Sequence, residues 1–368
     1  MSSSRYHSLM DTLSVEHLND LKNQIHQWAK ELNFDGFGVC DGNLEQAAPA
    51  LASWLARGWH GEMSFMARHT DKRSQPDRLV PGIHRVISVR LNYFPSQGAP
   101  PLDVLQDPTL GYIARYALGR DYHRLIRRKL QQLADRITES VGPFRYRAFA
   151  DSAPVMEKPL AQAAGIGWIG KHTNLLNQHQ GSWFFLGELY TDLPLPVDGP
   201  ASNHCGSCTQ CIDACPTGAL DHPYQIDARL CIAYLTIEHK SAIPEPLRPL
   251  IGNRIFGCDD CQLVCPYNRE APAGAMDFSA RHNLDTSALL DLFQWSEFDF
   301  DYYTQGSPIR RLGYERWLRN LAVALGNAPA DRRTLETLQK RRSGASELVD
   351  EHIVWAINQH EARLNRQI

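Results

Sequence analysis

The chain has 368 residues, enough for two or three domains with real cores, and its apolar share of 43% is that of a globular protein rather than a disordered one. A formal net charge of -3 excludes a global basic field as the means of holding a polyanion. No run approaches the roughly 18 apolar residues of a membrane span, and the amino-terminal stretch lacks a basic region followed by an apolar core, so the expectation is a cytoplasmic protein with no membrane partner.

Leu18, Leu21, Ile25, Trp28 and Leu32 recur at three- and four-residue intervals behind Ser14, which predicts an amphipathic helix over 15–32 with a serine N-cap. A short strand follows over Gly36–Cys40. Helical patterns at about 46–57 and 121–140 alternate with β-rich runs at 85–93, 145–150 and 182–190. This order predicts an α/β domain over residues 1–191. The proline-rich stretch from Asp192 to Pro200 suits neither helix nor inner strand and reads as a boundary. Every cysteine but one lies beyond it, and residues 192–275 form the cysteine-bearing unit. After that the pattern turns helical, with Leu312, Trp317, Leu321 and Leu325 in one stretch and Leu348, Ile353, Ala356 and Ile357 in another. Residues 276–368 therefore read as a short helical region resembling a HEAT-type repeat, and the fold class is α+β and multidomain. Basic residues bunch at Arg124, Arg127, Arg128 and Lys129, and again at Arg310, Arg311, Arg316 and Arg319; either bunch taken alone is a solvated helix face.

Cys205, Cys208, Cys211 and Cys215, followed by Pro216, have the C-x2-C-x2-C-x3-C-P spacing of bacterial ferredoxins. Three thiolates three residues apart wrap three corners of one cubane, and the fourth turns to a second cluster. Cys231, Cys258 and Cys261 complete that second set, and Cys265, again before a proline, closes the first. The ligand sets expected are Cys205, Cys208, Cys211 and Cys265 for one 4Fe-4S cluster, and Cys215, Cys231, Cys258 and Cys261 for the other. Disulfides suit a small secreted domain, and zinc sites show separated C-x2-C pairs rather than a run of three. Cys40 is left over and reads as a small buried apolar residue. Such a module delivers electrons one at a time.

The acceptor site has to lie in the first 191 residues. Asp151 follows a β-rich run and precedes a helical pattern, which places it at a strand's carboxyl end, where α/β sheets bind ligands, or makes it a helix N-cap. Gly165, Gly167 and Gly170 spell Gly-x-Gly-x-x-Gly, but they follow a helix instead of a strand, which argues against a dinucleotide site.

Several segments together resemble the epoxyqueuosine reductase family nearly end to end: His60-Gly-Glu-Met63, Tyr116-Ala-Leu-Gly-Arg-Asp-Tyr-His123, Asp151-Ser-Ala-Pro154, Gly167-Trp-Ile-Gly-Lys171, both cysteine groups, and Gly252-Asn-Arg-Ile-Phe-Gly-Cys-Asp-Asp-Cys-Gln262. The resemblance implies reduction of epoxyqueuosine to queuosine at the tRNA wobble position, with a base-off cobalamin held between the amino-terminal domain and the ferredoxin module. It implies that Asp151 is the catalytic aspartate, and that Arg73, Ala114, Leu175 and Ala233, with Asp151, line the cofactor. At Ala114 the family often has a polar or thiol residue, so no side-chain role is carried over there. It also implies tRNAs with a queuosine-type anticodon (the aspartate, asparagine, histidine and tyrosine acceptors), an external electron donor such as a flavodoxin or ferredoxin, and a monomer. Both arginine bunches then become expected phosphate contacts. The reaction takes up two electrons and two protons and releases water, which suits one-electron clusters, a reduced cobalt nucleophile and a carboxylic acid whose pKa is raised by desolvation. A pure electron carrier has no need of the first 191 residues, and a dehalogenase of the related cobalamin type would normally carry an export signal.

Overall fold

A computed structural model describes residues 14–366; part of the amino-terminal stretch read above for a leader lies outside them. Helix α1 (Val15–Glu31) begins at the expected cap, where the Ser14 hydroxyl accepts the His17 backbone N–H at 3.3 Å, and it buries Leu21, Ile25 and Ala29. Among the described residues the strands are, in chain order, β1 (Gly36–Cys40), β2 (Arg85–Asn92), β3 (Tyr112–Ile113), β4 (Tyr146–Phe149), β5 (Trp168–Ile169), β6 (Leu175–Leu176), β7 (Phe184–Thr191) and β8 (Arg254–Phe256). One sheet runs in the order β1-β2-β7-β4 and is antiparallel at every pairing.

Alternation along the strands sorts their side chains onto two faces. Ile87, Val89, Leu91, Phe185 and Leu189 meet α1 and the long helix α2 (Tyr122–Val141). On the other face Val86, Phe184, Leu186 and Tyr190 meet Leu160, Ala161 and Ala164, in and just past helix α3 (Glu157–Ala163). The helices press so close that two positions must be glycine: a Cβ on Gly187 would lie 2.5 Å from Ile126, and one on Gly38 would lie 2.0 Å from the Ala164 carbonyl oxygen.

A second core takes side chains from all three expected segments, from Ile113 and Leu118 through Ile232, Leu235 and Phe256 to Trp317, Leu321 and Ile353. Strands β3 and β8 pair in parallel across this core. The buried Asp259 carboxylate, just past β8, accepts the Tyr112 hydroxyl at 2.8 Å and the Arg115 backbone N–H at 2.8 Å. Helices α4 (Tyr314–Asn327), α5 (Arg332–Arg342) and α6 (Glu347–Leu364) close the chain, and α4 is buried on nearly all sides over Trp317–Gly326. Among the described residues no helix is long and apolar enough to cross a membrane.

Only part of the second arginine bunch is placed as the phosphate-binding face that was expected: Arg310 and Arg311 stay exposed, whereas Arg316 and Arg319 turn inward. Arg319 is fully buried and donates to the carbonyl oxygens of Leu235 and His239 at 2.7 Å and of Ser241 at 2.9 Å. Arg316 donates to the Ile237 carbonyl at 2.8 Å, Arg310 pairs with Asp301 at 2.6 Å, and Arg311 pairs with Asp121. For Arg316 and Arg319 the cause is carbonyl supply: the short helix Ile232–Ile237 ends with oxygens that no further turn bonds, and a planar five-donor guanidinium satisfies several at once. Arg319→Met should therefore cost about 3 to 5 kcal/mol in urea unfolding, as expected when buried polar partners are orphaned. A loss under about 1 kcal/mol would return Arg319 to the surface.

Candidate active site

Asp151 lies just past β4 with φ +56°, in the left-handed region that a non-glycine residue rarely adopts. It caps no helix, since α3 starts six residues later behind Met156 with no side-chain cap. Three residues at the start of α2 account for its position. Tyr122 donates its hydroxyl to Asp151 Oδ2 at 2.5 Å, and His123 Nε2 lies 2.9 Å from the same oxygen. His123 Nδ1 lies 2.8 Å from Asp121, the N-cap of α2, and Arg311 pairs with that carboxylate while its Nη1 lies 3.0 and 3.1 Å from the His123 ring nitrogens. Tyr122 is itself stacked on Phe185 of β7, with ring centroids 3.9 Å apart.

The electrostatics follow from this chain of contacts. Burial alone would raise the Asp151 pKa, but the hydrogen bonds from His123 and Tyr122 outweigh it and hold the carboxyl below its ordinary value. Burial pulls His123 down, yet its bonds to Asp121 and Asp151 win and raise it. Asp121 is pulled to about 2, with burial opposed and overcome by His123 and Arg311. An imidazolium donating to two carboxylates accounts for the Asp121 and Asp151 contacts, with the neighbouring Arg311 charge working against it. The expectation of an aspartate raised by desolvation is thus not met in the open site, where half of the Asp151 side chain faces solvent.

Asp151 and Tyr122 form one wall of a cavity of about 130 Å³, whose other walls include Glu157, Lys158, Leu175, Phe185 and Gln262. Lys158 donates to the Thr173 carbonyl at 3.1 Å. Burial lowers its pKa, opposed by the carboxylates of Glu157 and Asp151 and by the thiols of Cys261 and Cys231. Lys158 thus stands between the acidic wall and one group of cysteines.

Among the described residues no three His, Cys, Asp or Glu side chains converge closely enough for a single metal ion; the eight thiols form two looser groups. Burial raises the Cys265 thiol to about 11, with Cys211, Cys205 and Cys208 adding to it, and Cys211 is raised by burial and then by Cys205 and Cys208. Burial also raises Cys231, Cys258 and Cys261; Cys215 contributes to the first and third, and Cys231 to the second and third. Cys211 also acts on Cys261, so the two groups adjoin, and the crossed ligand sets remain the expectation that iron content tests. Thiols so placed ionise only when a cationic centre offsets burial and mutual repulsion, which is what an iron-sulfur cluster provides. The glycine-bearing segment before β6 braces the first set: Trp168 Nε1 lies 3.5 Å from Cys205 Sγ, and Lys171 donates to the carbonyls of Gly206 at 2.8 Å and Cys208 at 2.9 Å. It holds a cysteine loop and not a nucleotide.

Of the residues expected around a cofactor, Leu175 lines the cavity. Arg73 is buried, donates to the Phe65 carbonyl at 3.1 Å, leaves its Nε without a partner among the described residues and interacts with Asp151. Ala233 is half-buried two residues past Cys231, and Ala114 is buried beneath Gly257. Sequence reasoning assigned no role to Tyr122, His123, Glu157 or Lys158, although Tyr122 and His123 lie in a segment that carried the resemblance.

Residues 204–268 match the model of a 4Fe-4S double cluster binding domain, and residues 73–152 match the family described as Epoxyqueuosine reductase QueG, DUF1730. The chain is 57% identical over 355 residues to the epoxyqueuosine reductase of Pseudomonas aeruginosa, covering 96% of this chain and 98% of that one. The chain belongs to the epoxyqueuosine reductase family. To the epoxyqueuosine reductase of Escherichia coli it is 53% identical over 349 residues, with 95% and 92% of the two chains covered. The fold matches a crystal structure of epoxyqueuosine reductase with an epoxyqueuosine-modified tRNA-Tyr stem loop, at a TM-score of 0.86 and 28% identity over 94% of this chain and 91% of that one. An epoxyqueuosine reductase from Bacillus subtilis, solved with a catalytic aspartate loop swung out of the active site, matches at 0.84 and 26% over 94% and 91%. The enzyme therefore carries a double 4Fe-4S module. If the crossed ligand sets hold, Cys231→Ser should lower iron after anaerobic reconstitution from about eight per chain to about four, the bacterial double-cluster arithmetic. Loss of both clusters together would contradict them.

Proposed function

We propose that the protein reduces epoxyqueuosine to queuosine at the wobble position of tRNA, drawing electrons through its clusters to a cobalamin, with Asp151 as proton donor. The observation that carries this reading is one cavity lined by Asp151 and Tyr122, with His123 behind Asp151, and by Lys158, on which the thiols of Cys261 and Cys231 act. Proton supply and electron supply meet there. Membership of the family supports it, as does the likeness to a relative solved with a modified tRNA stem loop.

The residues fit the implied cofactor: the orphaned Nε of Arg73 suits the amide fringe of a corrin, and Leu175 and Ala233 offer apolar surface. When bound, cobalamin supplies a strong nucleophile that accumulates electrons delivered singly. The protein's own part is the proton. In the open site His123 holds it between two carboxylates. A nucleoside covering the exposed half of Asp151 would remove water, raise its pKa and draw the proton across the 2.9 Å contact, ready for the departing oxygen. Tyr122 holds the carboxylate in place throughout.

Arg124, Arg127 and Arg128 are exposed on α2, the helix whose first turn carries Tyr122 and His123, and they are the phosphate contacts we retain. The substrates would be the aspartate, asparagine, histidine and tyrosine tRNAs, the reductant a flavodoxin or ferredoxin, and the working unit a monomer. Asp151→Asn keeps shape, clusters and the Tyr122 hydrogen bond. On epoxyqueuosine-containing stem loop with a chemical reductant it should lose turnover by about 100-fold or more, the usual scale of general-acid catalysis. Conversion within a few-fold of the unaltered protein would give the proton to another donor.

A further inference from the structure

The sheet beneath α3 holds polar groups that the account so far leaves idle. Glu188, on central strand β7, is fully buried, and among the described residues neither of its carboxyl oxygens has a hydrogen-bond partner. Ser88, directly opposite on β2, is equally buried, and its hydroxyl is equally unpartnered. A carboxylate in that position would have no countercharge, so the group is held as the neutral acid. The neighbouring β7 residues on its face, Leu186 and Tyr190, are apolar or aromatic core. An acid kept there at a standing cost to stability calls for a use.

Glu157 connects it to the site. It stands at the start of α3, which packs on β1, β2 and β7, and it lines the cavity with Asp151. The charged and titratable groups around the two glutamates are Asp151 beyond β4, His123 of α2, Lys158 beside Glu157, Cys40 and Tyr190 on β1 and β7, Arg85 of β2 beyond Cys40, and Arg90, two residues from Ser88 on the same face of β2, which turns its guanidinium away to the Asp35 carbonyl at 2.6 Å. Glu188 interacts with Glu157 and Asp151 and with no cation, whereas Glu157 has Lys158 and His123 close by.

We propose that Glu157 and Glu188 form an internal proton store, in which Glu157 gives the second proton of the reaction to the cavity and Glu188, held neutral on the strand beneath it, is the reserve. Glu188 makes no hydrogen bond to Glu157 or Ser88 in this structure, so refilling requires its side chain to rotate toward Glu157. The inference rests on the proposed epoxide reduction. In that reaction both carbon–oxygen bonds of the epoxide break and a carbon–carbon double bond forms. Two electrons enter through the clusters, and two protons join the oxygen, which leaves as water. Asp151 supplies one proton, and a cavity closed over the substrate needs a second source within its walls. Burial and the Asp151 charge lift Glu157 to about pH 7, so it is a competent donor below neutrality and an empty one above it.

Two measurements test this. Infrared spectroscopy of the intact protein, without substrate, should show a protonated carboxyl C=O band at pH 8 that disappears in Glu188→Gln and Glu188→Met; the same band in both variants would overturn the store. Thermal unfolding of Glu188→Met should not fall, because an unpartnered acid gives way to an apolar side chain, whereas a clear drop would make Glu188 structural. With excess chemical reductant, turnover of the unaltered protein should decline as pH rises through about 7. In Glu157→Gln it should be about 10-fold or more lower at pH 6 and lack that decline. A profile in Glu157→Gln matching the unaltered protein would refute the relay while leaving Asp151→Asn inactive and the proposed function intact. No conversion by the unaltered protein would instead sink the proposed function, with the infrared result still deciding the store.

Discussion

The geometry depends on one buried carboxylate. Asp259 stands between Cys258 and Cys261 and accepts hydrogen bonds from Tyr112 and from the Arg115 backbone, on a segment that leads from Arg115 to Tyr122 and His123 at the start of α2. The peptide that carries two cysteines of the second set is thereby fixed to the peptide that holds Asp151. An ionised or half-ionised carboxyl with two good donors is stable in such a place; losing either donor would leave it unpaired, which costs more than the bond contributes. Arg319 and Asn320 of α4 repeat the device on the other side, satisfying carbonyls of residues 235–241 and of Ile255. The carboxy-terminal helices act as a clamp on the irregular cysteine-bearing chain.

Around the cavity, opposing charges are balanced at short range rather than dispersed. Asp121, His123, Asp151 and Arg311 alternate in sign along one line of contacts, and Lys158 faces carboxylates on one side and thiols on the other. Such a line stores a proton without leaving a net buried charge, and its balance shifts when one exposed face is covered. Asp151 ends the line half open to solvent, so under the proposed function the substrate's approach acts on the residue that changes its protonation. Its left-handed backbone is consistent with a segment held by side-chain contacts more than by the sheet.

Local patterns were legible in the sequence. The first helix with its Ser14 cap, strand β1 to the residue, the long helix from Asp121 and the strand before Asp151 all follow from spacing and capping. Sheet order was not, because pairing of β2 with β7 across some ninety residues is fixed by which faces bury together and no short window records that. The burial of Arg319 did leave a signal: the run Trp317–Gly326 is apolar on every side but for Arg319 and Asn320, the mark of a helix surrounded by protein, and the arginine bunching distracted from it. Glu188 likewise stands as the one charge in the otherwise uncharged strand Phe184–Thr191. The double-cluster module was readable because a cubane dictates ligand spacing along the chain, whereas His123 and Tyr122 act through a turn and a stack that only the folded chain brings to Asp151.

Electron entry at the clusters and proton entry at the Asp151 wall are claimed to meet in one cavity. The most direct measurement is a single turnover in which the clusters are the only electron source: cobalamin-loaded protein is reduced anaerobically, freed of excess reductant and mixed with epoxyqueuosine-containing stem loop. Cluster oxidation is followed by electron paramagnetic resonance and the nucleoside by mass spectrometry. The account predicts that the clusters reoxidise as the nucleoside loses one oxygen atom, with close to one product per chain that began with both clusters reduced. Reoxidised clusters with the epoxide intact, or product formed while the clusters stay reduced, would contradict it.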